Sequence, residues 1–294
     1  MNSKSEITFV IVSLEAIKGV KNCLDKIGKN YQVIVVENSK NEQIKKEIEK
    51  NYSNANCILL GKNYGYGTAA NKGISEVKTK FAFLINADIE IFNTQIEKIE
   101  EEIKKLNNNF SIATPFYEDY LDFINIKYDK FSKFNKKINL QKNIENVFLI
   151  KGSSMIFNLS KFKNKIFDEN FFFFFEEIDV CKRVTSNGEF ICLLNNIKIK
   201  HRGGEGIEHI DDAVINQFRN WHYYWSSFYY HRKHYGFYRS LAAHVNKLIK
   251  FFLFKYIFKF INKNEYETFK YRLNGLSCSI LGKKSSEGPD YGGR

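Results

Sequence analysis

Five consecutive phenylalanines, at 171–175, run directly into Glu176, Glu177 and, one residue later, Asp179. An apolar wall raises the pKa of a nearby carboxyl by desolvating its charged form, whereas an adjacent cation or metal lowers it. Carboxylates driven out of such a wall are therefore suited to act as a tuned acid or base. The competing reading is structural: a buried Phe strand leads into a helix whose first turn uses Glu176, Glu177 and Asp179 to complement its dipole. What separates the two readings lies upstream.

There, short apolar runs rich in β-branched residues alternate with helical spacing. Strands are predicted over Ile7–Ser13, Gln32–Glu37, 57–60 and 81–85, and helices over 16–29, 43–52 and 68–77. This alternation predicts an α/β fold with a mostly parallel central sheet and crossover helices. Ligands of such sheets sit beyond the carboxyl ends of the strands. The residues there are Glu37-Asn38-Ser39, Asn63 to Gly67, and Asn86-Ala87-Asp88.

Each of these ends is polar and short. Glu37 and Asn38 are suited to hydrogen-bond a base or ribose. Asn63-Tyr64-Gly65-Tyr66-Gly67, followed by Asn71-Lys72-Gly73, supplies free N–H groups at a helix start, where an anion or nucleotide can be met. Neither a GxGxxG fingerprint nor a Walker loop is present. Asp88, between Asn86 and Glu90, suits a hard divalent cation that also takes phosphate oxygens.

Composition narrows the partners. An excess of 45 Lys and Arg over 33 Asp and Glu gives a net charge of +12, which favours an anionic partner. The five cysteines form no CxxC pair, which argues against a zinc site or a disulfide framework and fits a reducing compartment. Residues 1–6 precede the first strand without a signal-type apolar region, so a cytoplasmic location is expected.

Taken together, the motifs resemble family-two nucleotide-sugar glycosyltransferases of GT-A fold, in particular the rhamnosyltransferase-like branch. Val35-Val36-Glu37-Asn38-Ser39 resembles that family's Val-Asp-Asn-x-Ser strand end, and the 63–73 segment its Asn-x-Gly-aromatic stretch. Leu84-Ile85-Asn86-Ala87-Asp88 is similar to the Leu-Leu-Asn-Pro-Asp form of the DxD metal motif. Gly152-Ser153-Ser154-Met155 resembles a strand that lines the donor and acceptor cleft. Phe167-Asp168-Glu169-Asn170-Phe171, continuing through Asp179, is similar to the long segment that carries the catalytic carboxylate. His201-Arg202-Gly203-Gly204 resembles a His-x-Gly-Gly element whose His reaches metal or pyrophosphate. The chain departs from the pattern at Glu177, where an Asp is usual, at Ser13-Leu14-Glu15, and at Glu205.

The resemblance implies an inverting transfer of sugar from a nucleotide-diphosphate donor (dTDP-rhamnose, a UDP- or a GDP-sugar) to a saccharide or lipid-linked acceptor. Glu177, or Glu176 if the register differs, would be the base. Glu37, Asn38, Asn63, Gly65, Gly67, Asn71, Asn86 and Asp88 would bind the donor, and Gly152, Ser153 and Asp179 the acceptor. Asp88 and His201 would hold Mn2+ or Mg2+. Glu177 and Ser13-Leu14-Glu15 leave a second class open, a protein of this fold that binds nucleotide sugar or glycan without turnover. A third class, nucleic-acid binding through interleaved aromatics and cations after residue 211, lacks any recognisable module and ranks below helix packing.

Residues 1–210 are thus expected to form the catalytic domain and 211–294 a helical extension. Within the extension, 246–262 is dense in apolar residues, but lysines interrupt it too often for a span. Lys255, Lys259 and Lys263, at i, i+4 and i+8, predict either a helix lying in an anionic membrane surface or a packing helix in a homodimer. Residues 282–294 are expected to be a mobile tail.

Overall fold

Strands rich in β-branched and aromatic residues and buried on both faces need helices on both sides, and that arrangement is observed. The computed structural model describes residues 5–117, 139, 141–202 and 211–290. In it β1 (Ile7–Ser13), β2 (Gln32–Glu37), β3 (Ala55–Leu59) and β4 (Phe81–Asn86) pair in parallel in the order β3-β2-β1-β4. Helices α1 (Ile17–Ile27), α2 (Glu42–Asn51) and α3 (Tyr66–Ser75) are the crossovers.

The sheet continues through β5 (Ile89–Glu90), β6 (Ile112–Tyr117), β7 (Ile144–Val147), β8 (Ser154–Asn158) and β9 (Ile191–His201), with α4 (Asn93–Lys105) and α5 (Glu176–Ser186) packed on it. Strand β8 lies antiparallel between β4 and β6, β9 runs parallel to β6, and β5 and β7 pair antiparallel to β9. Strands β1, β2, β3, β4, β6 and β9 therefore share one direction, so the sheet is mostly parallel.

Alternate residues of β1 serve opposite faces, as the pleat dictates. Phe9 and Ile11 join a core with Val20, Ile44 and Ile96 of α1, α2 and α4; Val10 joins another with Ala69 of α3 and Ile178 and Val184 of α5.

Three helices follow: α6 (Asp212–Tyr235), α7 (Phe237–Phe258) and α8 (Lys263–Ile280). They bury their own core of Phe228, Phe251, Phe269 and Leu276. The bundle is continuous with the sheet layers, because Tyr230 enters the second sheet core and Phe218 packs on Phe172. The expected boundary at 210/211 adjoins residues 203–210, which lie outside the described residues, as do Gly203, Gly204 and Glu205.

Two expectations for the C-terminal region need correction. Lys255, Lys259 and Lys263 do not share a helix face, since α7 ends at Phe258, Lys259 caps it, and Lys263 opens α8. Asn262 accounts for the restart: its side chain accepts the N–H groups of Asn264 and Glu265. Nor is the tail loose as far as residue 290. Ser285 Oγ donates to the Asn170 carbonyl, and His222 Nε2 donates to the Pro289 carbonyl at 2.8 Å. Gly288 lies so close to Trp221 that a Cβ would sit 2.4 Å from the ring.

Candidate active site

The order β2-β1-β4 places a topological switch point at β1, and a cavity of about 460 Å3 opens there beyond the carboxyl ends of the strands. Ser13, Asn38, Asn86 and Asp88 reach it from strand ends, and Asn63 and Gly65 from the β3–α3 loop. Phe172 and Phe173 close one wall; Asp212, Ile215 and Arg219 of α6 close another.

Asn38 and Asn63 form a bonded pair. Asn38 Nδ2 donates to Asn63 Oδ1 at 2.9 Å, Gly65 N donates to the same oxygen at 2.9 Å, and Tyr64 N donates to Asn38 Oδ1 at 2.9 Å. Gly65 is required twice over: its φ is +86°, and a Cβ there would meet the Phe172 carbonyl oxygen at 2.4 Å. Glu37 lies behind this wall with no exposed surface, accepting the Glu15 N–H at 3.1 Å. It supports the pocket rather than lining it.

The Asn86-Ala87-Asp88 turn is held from below by α1, where Gly19 is so near that a Cβ would sit 2.9 Å from the Ala87 carbonyl. Antiparallel pairing of β5 with β9 brings Ile89 opposite His201. His201 Nε2 thereby lies 3.2 Å from Asp88 Oδ1, and the His201 ring stands edge-on to Tyr117. Asp88 Oδ1 is buried yet accepts no aligned hydrogen bond. Among the described residues no cluster of three or more His, Cys, Asp or Glu side chains is placed to hold a metal. A buried carboxylate oxygen and one imidazole nonetheless fit a divalent cation that completes its shell with phosphate oxygens and water.

On the far side of the cavity the Phe run is not a strand. Phe174 and Phe175 both adopt left-handed backbone, at φ +65° and +70°, at a cost on the order of 1–3 kcal/mol each. Aromatic side chains of α6 hold them there. Phe171 meets Tyr229 edge to face, Phe172 stacks on His222, Phe173 packs on Phe218, and Phe174 and Phe175 pack on Tyr223. Ser226 Oγ also donates to the Phe173 carbonyl at 2.9 Å. Helix packing thus accounts for the aromatics of α6.

Helix α5 starts immediately after this turn, with Glu176 and Glu177 in its first turn. Burial pushes both carboxyls up, Glu177 to about 7, while the N–H groups of Glu177 and Ile178 and the Lys151 cation oppose the shift at Glu177. Glu176 Oε2 and Glu177 Oε2 are both buried without a hydrogen-bond partner. The two differ in access: Glu176 is buried beside Gly67, whereas Glu177 is half-buried and lies against Gly152.

Four other expected contacts fall elsewhere. Asn71 is spent on backbone, donating to the Phe167 carbonyl at 2.8 Å and accepting its N–H at 3.0 Å, so it anchors the segment that leads into the Phe run. Gly67 makes room for Phe167 and Glu176. Ser153 is buried and donates to Tyr117 Oη at 3.1 Å, bracing the ring beside His201. Asp179 has no exposed surface and cannot touch an acceptor. His234 Nε2 at 2.9 Å, Lys233 Nζ at 2.7 Å and Arg183 Nε at 2.9 Å surround it. Burial opposes its charge, but the hydrogen bonds from His234 and Lys233 and the charges of Arg183 and Lys233 prevail and hold its pKa down to about 2.

Sequence reasoning passed over Tyr66, Lys151 and Arg219. Tyr66 lines the cavity, and its hydroxyl donates to Asn86 Oδ1 at 2.9 Å and lies within the electrostatic reach of Asp88, Glu176 and Glu177. Half-buried Lys151, its pKa lowered by burial, feels both Asp88 and Glu177. The signal for Tyr66 and Lys151 was adjacency to named motifs; Arg219, on a helix 130 or more residues from the strand ends, had none.

Comparison with known proteins fits this geometry. Residues 8–164 match the sequence model of glycosyl transferase family 2. The chain is 24% identical over 191 residues to the low-salt glycan biosynthesis hexosyltransferase Agl10 of Haloferax volcanii, covering 60% of this chain and 61% of that protein. It is 26% identical over 161 residues to the teichoic acid poly(glycerol phosphate) polymerase of Staphylococcus epidermidis, covering 51% of this chain and 21% of that one. The chain thus spans less than two thirds of each relative. Among solved structures it is similar to the mannosyltransferase PcManGT from Pyrobaculum calidifontis in complex with GDP-Man and Mn2+, at TM-score 0.56 and 10% identity over 96% of this chain and 89% of that one. TarS 1-349 of S. aureus is similar at TM-score 0.53 and 10% identity, over 95% and 92%. The shared architecture is the GT-A fold.

Proposed function

The chain belongs to glycosyl transferase family 2, and from that premise we propose that it moves a hexosyl or deoxyhexosyl group, with inversion, from a nucleoside-diphosphate sugar to a hydroxyl of a saccharide or lipid-linked saccharide in glycan synthesis. One observation carries the reading. Buried carboxylate oxygens that accept no aligned hydrogen bond stand at Asp88, beside His201, and at Glu177, and Tyr66 and Lys151 feel both groups. One end suits a diphosphate with its cation, and the other suits the proton of an attacking hydroxyl.

In this mechanism Asn38 and Asn63 present the nucleoside wall, and Asp88 and His201 would hold Mn2+ or Mg2+. The cation, when bound, supplies charge that offsets the departing diphosphate. The half-buried Glu177 carboxylate takes the proton of the acceptor hydroxyl as that oxygen attacks the anomeric carbon. The bond from that carbon to the diphosphate oxygen breaks on the opposite face, so configuration inverts. Lys151, between the two ends, stabilises negative charge that moves towards the phosphates. The raised pKa of Glu177 makes it a stronger base at neutral pH than an exposed carboxylate.

Agl10 is by name a glycan biosynthesis hexosyltransferase, and PcManGT was solved with GDP-Man and Mn2+. The first supports hexosyl transfer, and the second supports the donor class and the metal. The test is a thermal-shift panel of UDP, GDP and dTDP with Mn2+ or Mg2+, followed by mass detection of hydrolysed or transferred sugar from the matching donor. Metal-dependent stabilisation by one nucleotide, with sugar release from its donor, is expected. Stabilisation without any sugar release would replace the enzyme with a binding protein of the same fold.

A further inference from the structure

Helix α7 turns one face inward and leaves the opposite face bare. Ser240, His244 and Phe251 are buried, and Leu241, Leu248, Phe254 and Phe258 pack on the bundle core. On the opposite face Ile249, Phe252, Leu253, Tyr256 and Ile257 are each 50–54% exposed, and Phe260, just past the helix end, is 87% exposed. Their spacing of three, four and seven residues puts the helical five on a single stripe. A stripe of large apolar side chains in the middle of the outward face is the reverse of a solvated helix.

Charge at the edges identifies what covers it. From Phe237 to Asn264 there is no acidic residue, whereas Arg239, Lys247, Lys250, Lys255, Lys259 and Lys263 are all cationic. Arg239, Lys250, Lys259 and Lys263 are exposed. Lys255 and Lys259 lie over the Tyr256 and Phe260 rings, at 5.4 Å and 5.6 Å from their centroids. A second copy of this chain docked on the same face would bring two acid-free cationic surfaces together, because a two-fold interface is self-complementary. Anionic headgroups above an apolar layer match both features at once.

We propose that the outward face of α7 docks on an anionic lipid surface, with the apolar stripe seated at the headgroup boundary and the flanking cations on the lipid phosphates. The helix lies on the membrane, since no helix among the described residues is long and apolar enough to cross one. None of its residues lines the cavity beside Asp88, so docking leaves the donor site open. The proposal is independent of the sugar-transfer reading.

Flotation of the full chain with phosphatidylcholine vesicles, with and without phosphatidylglycerol, tests it, alongside light scattering of the free protein. The wild type should float with the anionic vesicles and leave them as salt rises. Each basic residue near an anionic surface is worth about fivefold in binding, so the double variant Lys250→Ala, Lys259→Ala should bind roughly 25-fold more weakly. Phe252→Ser with Leu253→Ser should lose on the order of tenfold or more. Both pairs are exposed, so melting temperature and nucleotide binding should stay unchanged. Failure of the wild type to float would overturn the proposal. So would equal flotation with neutral vesicles, or a dimer that the Phe252→Ser, Leu253→Ser variant converts to monomer, which would make the face an interface between copies.

Discussion

Asn63 Nδ2 donates to Asp290 Oδ1 at 2.7 Å, joining residues 227 positions apart. Asn63 thus ties the cavity wall to the C-terminal segment, while its Oδ1 serves Asn38 and Gly65. Asn63→Ala leaves three groups without that partner and should cost about 1–3 kcal/mol in denaturant unfolding. Asp290→Asn keeps an acceptor there and should cost less than about 1 kcal/mol. Equal losses would show that Asn63 matters only through the tail.

The pH dependence of transfer follows from Glu177. Burial raises its pKa to about 7, and the protonated carboxyl cannot accept a proton. The specificity constant should therefore rise with pH through about 7 and then level off. Because Lys151 opposes the upward shift, Lys151→Gln should move the limb to higher pH. Glu177→Gln should retain donor binding and lower transfer on the order of 100-fold or more. Normal transfer by Glu177→Gln with loss in Glu176→Gln would reassign the base.

Gly152 offers a geometric check on the same residue. A Cβ at Gly152 would stand 3.1 Å from Glu177 Cβ and 3.4 Å from its Cγ, so Gly152→Ala must push the carboxylate aside. Displacements well below an ångström at a reacting group already cost on the order of tenfold in rate. Steady-state kinetics should show that loss in kcat with an unchanged melting temperature. Unaltered kcat would place the reacting proton away from Glu177.

For the metal, Asp88→Ala should abolish Mn2+-dependent binding of nucleoside diphosphate in titration calorimetry. His201→Ala should weaken it on the order of 10–100-fold, since other ligands remain. Metal-independent affinity in the wild type would remove the cation from the reading, and unchanged Mn2+-dependent affinity in both variants would place it on other residues.

Asp179 predicts acid sensitivity. Its folded pKa, about 2, lies below the ordinary carboxylate value of about 3.9. The stability it contributes is present above that ordinary value and is lost as pH falls towards 2. Asp179→Asn should flatten this acid limb and cost about 3 kcal/mol at neutral pH, because Lys233 and Arg183 lose their buried partner. An unchanged limb in chemical unfolding at low pH would locate the acid-labile group elsewhere.

Much of the molecule follows from local pattern. The period-two and period-3.6 runs predict β1 to β4 and α1 to α3 to within about two residues, and the switch-point rule then selects Asn38, Asn63, Asn86 and Asp88 for the cavity. Those positions are legible because each closes a strand or opens a helix next to it. The roles of the three carboxylates after the Phe run are not, since Glu176, Glu177 and Asp179 occupy one helical turn and look alike in sequence. Only packing separates them: α6 sets Lys233 and His234 against Asp179, Gly67 makes room for Glu176, and Gly152 leaves Glu177 beside Lys151. The same holds at α7, where composition showed lysines and aromatics but α6 and α8 chose which stripe was covered. Hydrophobic periodicity is a property of neighbours along the chain; the solvation and charge partner of a side chain are set by elements distant in sequence, and those terms decide its chemistry.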